Sequence, residues 1–390
     1  MPSTRRRLRE LLALATLAAL TACGTLIGFD DFTAPPYSEP TDATTAEGAP
    51  PGDGSSTAVA DSSAADGAAA GDSQTSPLPC TSPFTGGSMI VLYGGRLGDV
   101  QPLDDVWTFD GTTWASQQQG PNQVTRHAMA TRGAQAVSFG GTHLDEQPHD
   151  DTQRFFAGPR TWVASASTPA IPHRSEAAMA PFGAELLLFG GTNGTAFGDT
   201  WLSAPTDGGD LTWSAAKTTG PGPRHAHAMA TLPEAGTLLY GGRLQDSGFI
   251  ADTVVWDGLD WLKHAHFTMP DSDHPNPRAY HAMATVGCTV VMFGGLDASG
   301  PLGDTWEWDG RVSPSTWVRK AQGQAAPTPR YGHAMATLNG TVILFGGRDK
   351  SMHNSETWTW NGSRWDNVTN KLVGTPPPPR AHHGMAAYTQ

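Results

Sequence analysis

A chain of 390 residues is long enough for two or three average domains, but rings of β-sheet repeats use this length for one, so internal repetition decides the domain count. With 46 Gly, 31 Pro and 13 Trp but only 16% charged residues, the composition describes short strands joined by tight turns and excludes a long helical protein. Lys and Arg number 24 against 37 Asp and Glu, and the resulting charge of −13, with no basic stripe, argues against nucleic acid or an anionic membrane surface as partner.

The N-terminus reads as an address. Arg5, Arg6, Arg7 and Arg9 precede an apolar run over residues 11–20, too short to span a bilayer but suited to the core of a signal peptide. The run ends in Leu20, Thr21, Ala22, Cys23 and Gly24, which resembles the lipobox of bacterial lipoproteins. That resemblance implies removal of residues 1–22, acylation of Cys23, and, since position 24 is not aspartate, retention at the outer rather than the inner membrane. Several acyl chains at about 0.8 kcal/mol per buried methylene would make the attachment effectively permanent. Residues 24–79 contain no Lys or Arg, nine acids and repeated Ala, Ser, Thr, Gly and Pro, too little apolar surface to fold. Residues 23–79 are therefore expected to be a lipidated, disordered tether with a reach of about 40 Å.

From Cys80 onward one phrase recurs: an apolar run ending in a double glycine, at Gly94-Gly95, Gly140-Gly141, Gly190-Gly191, Gly241-Gly242, Gly294-Gly295 and Gly346-Gly347. In the last complete copy, residues 333–338 read as a first strand, Asn339-Gly340 as a two-residue hairpin turn, and residues 341–345 as a second strand. A third strand follows over residues 356–360, then a turn at Asn361-Gly362, then Trp365 in a fourth strand. Every copy keeps the fourth-strand tryptophan: Trp114, Trp162, Trp213, Trp261, Trp317 and Trp365. Every copy also opens its third strand with an acid: Asp105, Asp151, Asp199, Asp252, Asp304 or Glu356.

This pattern resembles the kelch repeat family. The resemblance covers residues 80–390 and implies an all-β, six-bladed kelch-type β-propeller with four-stranded blades, each stacked on its neighbours to bury its faces. The second and third copies are degenerate, with Gln153 and Ser203 at aromatic positions. The C-terminal phrase Pro379, Arg380, Ala381, His382, His383, Gly384, Met385 has no second strand after it, and the first double glycine has no such phrase before it. The two halves are expected to form one blade, closing the ring and removing its open edges.

Two positions repeat with the blade period. Arg174, Arg224, Arg278, Arg330 and Arg380 occupy one, with Val124 in the odd copy; His127, His227, His281, His333 and His383 occupy the other, with Ala177 in the odd copy. The histidines are expected to pack or hydrogen-bond between blades. The arginines enter the innermost strands near the channel mouth, where kelch proteins bind acidic peptides or small anions, so a ligand-binding role and pairing with the repeated third-strand acids both stay open, pairing being favoured by the matched counts. Arg96, Arg243 and Arg348, each following a double glycine, join the candidate mouth residues. So does the stretch His143, Asp145, Glu146, His149, Asp150, which has metal-ligand residue types but no recognised spacing and is read as a solvated loop. The connection over residues 264–277, with His264, His266, Asp271, Asp273 and His274, belongs to the same end.

The expected role is an exported binding or scaffold module, monomeric, with a protein or an acidic small-molecule or glycan ligand, and without catalytic residues, cofactor or metal. The alternative is a carbohydrate-active or isomerising enzyme on a kelch ring: sialate mutarotases bind an acidic sugar with arginines. A galactose-oxidase-like copper site needs a cross-linked Tyr and Cys; Tyr280-His281 matches one ligand pair superficially, but Cys288 falls at a hairpin turn. With Cys23 lipidated, Cys80 and Cys288 are the remaining pair in an oxidising compartment, and residues 81–86 give Cys80 about 20 Å of reach toward Cys288, so either a bond or two free thiols is open.

Overall fold

The computed structural model describes residues 80–389, apart from 99–100, 157, 166–170, 206–210, 234, 246–247, 266–273, 312–315 and 321–324. The lipobox with Cys23 and the acidic tether lie outside the described residues, as do His266, Asp271 and Asp273. No helix among the described residues is long and apolar enough to cross a membrane.

Six four-stranded antiparallel sheets form the blades of a propeller. From the channel outward, blade 1 consists of Gly384–Tyr388, Met89–Tyr93, Val106–Phe109 and Trp114–Ser116. Its innermost strand is thus C-terminal, pairing Met89 with Tyr388 and Tyr93 with Gly384. Blades 2 to 6 are continuous in sequence and start at Ala128–Arg132, Ala178–Phe182, Ala228–Leu232, Ala282–Val286 and Ala334–Leu338. Leu338 pairs with Thr341 across Asn339 and Gly340, whose φ angles of 48° and 77° are those of a two-residue hairpin turn.

The outer turns differ from a two-residue hairpin. Trp360 pairs with Trp365 across four residues, and Asn361 Oδ1 accepts the N–H groups of Ser363 and Arg364 at 3.0 Å. Asp257 does the same for Leu259 and Asp260, and those amides hold its carboxyl below the usual range. Blade 5 departs more: its second and third strands run on as Thr289–Asp297 and Gly300–Trp308, making an ordered hairpin beyond Gly294-Gly295.

There is no single central core. Six apolar clusters each fill one seam between adjacent blades, for example Leu238, Tyr240, Met292, Trp306, Trp308 and Trp317 between blades 4 and 5. In four blades the outer-strand tryptophan serves the seam twice, filling it with its ring and donating Nε1–H to a threonine of the preceding blade. Trp261 reaches Thr200 at 2.9 Å, Trp317 reaches Thr253 at 3.0 Å, Trp365 reaches Thr305 at 2.9 Å and Trp114 reaches Thr357 at 3.0 Å. In blade 1 that threonine position is Val106, and neither Trp162 Nε1 nor Trp213 Nε1 finds a hydrogen-bond partner among the described residues.

Residues 80–88 form a strap across the end of the ring that carries the turns between first and second strands. Phe84 exchanges two backbone hydrogen bonds with Gly287 of blade 5, at 2.7 and 2.8 Å, and Gly340 N–H of blade 6 donates to Thr85 at 2.6 Å. The strap then enters blade 1. Cys80 and Cys288 are joined by a disulfide with their Cα atoms 6.0 Å apart, so the strap is covalently fixed to blade 5.

Candidate functional site

The double glycine shapes the channel end of every blade. A Cβ on Gly190 would lie 2.6 Å from the Arg224 carbonyl and 2.9 Å from the His227 ring of the next blade, and one on Gly191 would lie 2.8 Å from the Ser175 carbonyl of its own blade. Both glycines have positive φ, 66° and 96°. The first lets the next blade close in; the second lets the innermost strand do so. The repeated histidines pack into this space, 5–8% exposed. Burial keeps them neutral: His127 and His333 are lowered to about 3, and His227, His281 and His383 lie well below the usual value.

The five repeated arginines stand inside the blades rather than on the mouth surface, each at most 2% exposed. Each donates to the third-strand acid and to the carbonyl of the first glycine. Arg278 bonds both oxygens of Asp304 at 2.7 Å and Gly294 O at 2.9 Å; Arg174, Arg224 and Arg380 repeat this with Asp199, Asp252 and Asp105, and Arg330 meets Glu356 at 2.5 Å. In Asp199 and Asp304 burial raises the carboxyl, but the arginine's hydrogen bond and charge, together with the tryptophan N–H, outweigh it and hold both below the usual range. With the guanidiniums engaged in this way, these arginines brace blade geometry and leave the channel surface to other residues.

The channel surface is formed one residue before each histidine position: Arg126, Glu176, Ala226, Tyr280, Gly332 and His382. Each has a φ between 55° and 65° and each N–H donates to the carbonyl of its counterpart in the preceding blade, at 2.7–2.9 Å. Arg126 donates to His382, Glu176 to Arg126, and so on until His382 donates to Gly332, so six hydrogen bonds close a ring around the channel. Left-handed backbone at five non-glycine residues is costly in isolation, and the closed ring holds it in place.

The six ring residues differ in size and charge, and their side chains accommodate one another across a cavity of about 150 Å³. Glu176 is the hub. Its carboxylate lies 3.3 Å from Arg126 Nε, 2.6 Å from His225 Nδ1, and accepts the Tyr280 hydroxyl at 3.1 Å to both oxygens. Tyr280 crosses the space left by Ala226, and the His382 ring lies over Gly332 with its centroid 5.2 Å from that of Tyr280. Burial opposes ionisation of Glu176, but His225 and Arg126 outweigh it and lower the carboxyl to about 2. Burial, seconded by the Glu176 charge, raises the Tyr280 hydroxyl, and burial lowers His382 to about 3. The floor of the mouth is therefore one fixed carboxylate, one guanidinium, a hydroxyl donor and neutral imidazoles.

Sequence reasoning passed over Arg126, Glu176 and His382 and weighed Tyr280 only as part of a superficial copper-ligand pair. The signal was available: between an almost constant Arg and an almost constant His, one position takes six different residue types. Arg96, Arg243 and Arg348 do stand around this mouth, half-buried and bridged to Ala381, His225 and Tyr331, each one residue before a ring position. Cys288, in its disulfide, is not available for a cross-link to tyrosine. His143, His149 and Asp151 come together, whereas Glu146 is a turn residue with a φ of 58°.

The geometry fits what the comparisons find. The sequence matches the KLHDC2/KLHL20/DRC7 Kelch-repeats domain over residues 73–232 and 206–390, and the chain belongs to this kelch-repeat family. Relatives include Adagio-like protein 3 of Oryza sativa subsp. japonica, 27% identical over 64% of this chain and 42% of that protein. Tip elongation aberrant protein 1 of Schizosaccharomyces pombe is 30% identical over 41% of this chain and 15% of its own length. An F-box/kelch-repeat protein of Arabidopsis thaliana is 32% identical over 42% of this chain and 36% of its own. The chain spans less than half the length of these eukaryotic relatives. Kelch propellers generally serve protein interaction.

Proposed function

We propose that this chain is an exported scaffold of the cell envelope that holds a protein partner at the mouth of its propeller channel. The observation that carries the reading is the ring of six backbone hydrogen bonds bearing six unlike side chains: the fold repeats, and its symmetry is broken where the surface faces a ligand. Arg96, Arg243 and Arg348 surround that floor, so an acidic segment of the partner is the chemistry that fits best. Attachment is through the acylated Cys23 at the outer membrane, with residues 24–79 as spacer and one propeller per anchor. The support for anchoring is the sequence pattern of residues 5–24.

Photo-crosslinking tests the mouth. A crosslinking amino acid replacing Leu97, half exposed beside Arg96, is expected to capture an envelope protein in cells, while one replacing Leu259, 82% exposed on a turn at the opposite end, is not. Equal capture at both positions, or none at Leu97, would overturn the reading. Cys23→Ala is expected to release the protein from the membrane fraction with the propeller intact, and retention there would rule out the lipid anchor.

A further inference from the structure

Blade 2 breaks the repeat at the acid that opens its third strand. In the other five blades a guanidinium meets that carboxylate, but the matching position here is Val124, 2% exposed. Blades 1, 3, 5 and 6 add a tryptophan Nε1–H from two residues further on, and here that residue is Gln153. Asp151 is left with the neutral amide of Asn122, 2.8 Å away, and with His143, whose Nε2 stands 3.6 Å from Oδ2. The blade has lost a permanent cation and put two imidazoles in its place.

We propose that His143, His149 and Asp151 form a binding site for a divalent transition cation of the zinc class. Their ligand atoms all lie within 4.8 Å of one another. Tetrahedral zinc with bonds of roughly 2.0–2.2 Å spaces its ligands by a little over 3 Å, so the three side chains have to rotate and draw together around the ion. The two rings are stacked, centroids 3.8 Å apart and 10° from parallel, so binding requires them to swing apart until both in-plane lone pairs meet one ion. The segment that carries them is pre-shaped: Thr142 bridges to both Thr125 and Pro148, and Gln147 N–H donates to Asp145 Oδ1 at 3.0 Å. Asp145 also contacts His149 Nε2 at 3.1 Å through both oxygens, as an outer carboxylate orients a metal-bound histidine, which leaves Nδ1 as the atom for the ion. Imidazole ligands bring no charge of their own to a bound ion, and the two carboxylates beside them supply two negative charges, which a divalent ion balances as a guanidinium balances the single carboxylate elsewhere. A nitrogen-rich set with one carboxylate favours zinc over magnesium or calcium, and three protein ligands leave a fourth position for water.

The test uses tag-free full-length protein, stripped with chelator and titrated calorimetrically with zinc chloride at neutral pH, with bound metal counted after gel filtration. About one zinc per chain is expected. His149→Ala should weaken binding by more than about 100-fold and Asp145→Asn by about 10–100-fold, as loss of a ligand and of an orienting partner do. Val124→Arg restores the repeat, setting a guanidinium against Asp151, and should abolish binding while the chelator-treated protein keeps its circular dichroism and melting temperature. Substoichiometric zinc on the unaltered chain overturns the proposal without reference to any variant. So does full binding in both His149→Ala and Val124→Arg, which would place the ion on other histidines.

Discussion

The buried arginine–acid pair braces five of the six blades. Arg224 and Asp252 are the most enclosed example, their side chains 3% and 6% exposed. Removing one member leaves the other as an uncompensated charge in low dielectric, and that loss, more than the pair's own attraction, sets the cost. Asp252→Ala is therefore expected to destabilise the propeller by about 3–5 kcal/mol, whereas replacing both partners by apolar residues of similar volume should cost much less. Urea denaturation followed by tryptophan fluorescence measures both, and a single substitution no worse than the double would contradict the account. Blade 2 shows the same rule from the other side. Having lost its arginine, it fills the site with Val124 and supplies Asp151 with other polar partners.

Among the elements, the strap over residues 80–88 deserves the closest energetic reading, because it links blade 5, blade 6 and blade 1 by backbone hydrogen bonds at the place where the ring closes. The disulfide from Cys80 to Cys288 closes a loop of 208 residues, for which chain entropy gives about 5 kcal/mol as an upper bound. Blade 1 is completed non-covalently by Gly384–Tyr388, so the bond limits how far strap and first blade can part when that strand frays. Cys288→Ser should lower the melting temperature and speed proteolysis within residues 80–88, and the same change should follow reduction of the unaltered protein. Identical thermal melts with and without reductant would show that the hydrogen bonds of the strap suffice alone.

The whole molecule responds to acid through its histidines. His127, His227, His281, His333, His382 and His383 are held far below the free value by burial, so the folded ring does not take up the protons that the unfolded chain binds below pH about 6.5. Their folded values are depressed, so the stability they protect is complete above pH about 6.5 and is lost as pH falls toward about 3. Each adds roughly 1.4 kcal/mol of destabilisation per pH unit within that window. Glu176, depressed from 4.5 to about 2, adds to the loss below pH about 4.5. Urea midpoints should therefore drop steeply between pH 6 and 4, before ordinary carboxylates titrate, and His281→Phe should reduce the slope by about one proton. A flat profile across that interval would show that the channel admits the protonated imidazoles.

The sequence by itself determined the ring. Double glycines and outer tryptophans are demanded locally by close backbone approach and seam packing, so they recur in every blade and can be counted along the chain. Closure by the C-terminal strand was legible for the same reason, since a phrase without its sequel at one end matched a sequel without its phrase at the other. The site was not legible in this way. Arg126, Glu176, Tyr280 and His382 come from four blades, and only closing the circle sets Glu176 against Arg126, His225 and Tyr280. Tertiary structure also settled which arginines face inward. The sequence makes Arg278 and Arg243 both candidates for the mouth, but the first is enclosed by Asp304 and Gly294 while the second rises from a loop at the mouth. Local chemistry repeats with the chain; the chemistry of a channel depends on residues that meet only across its axis.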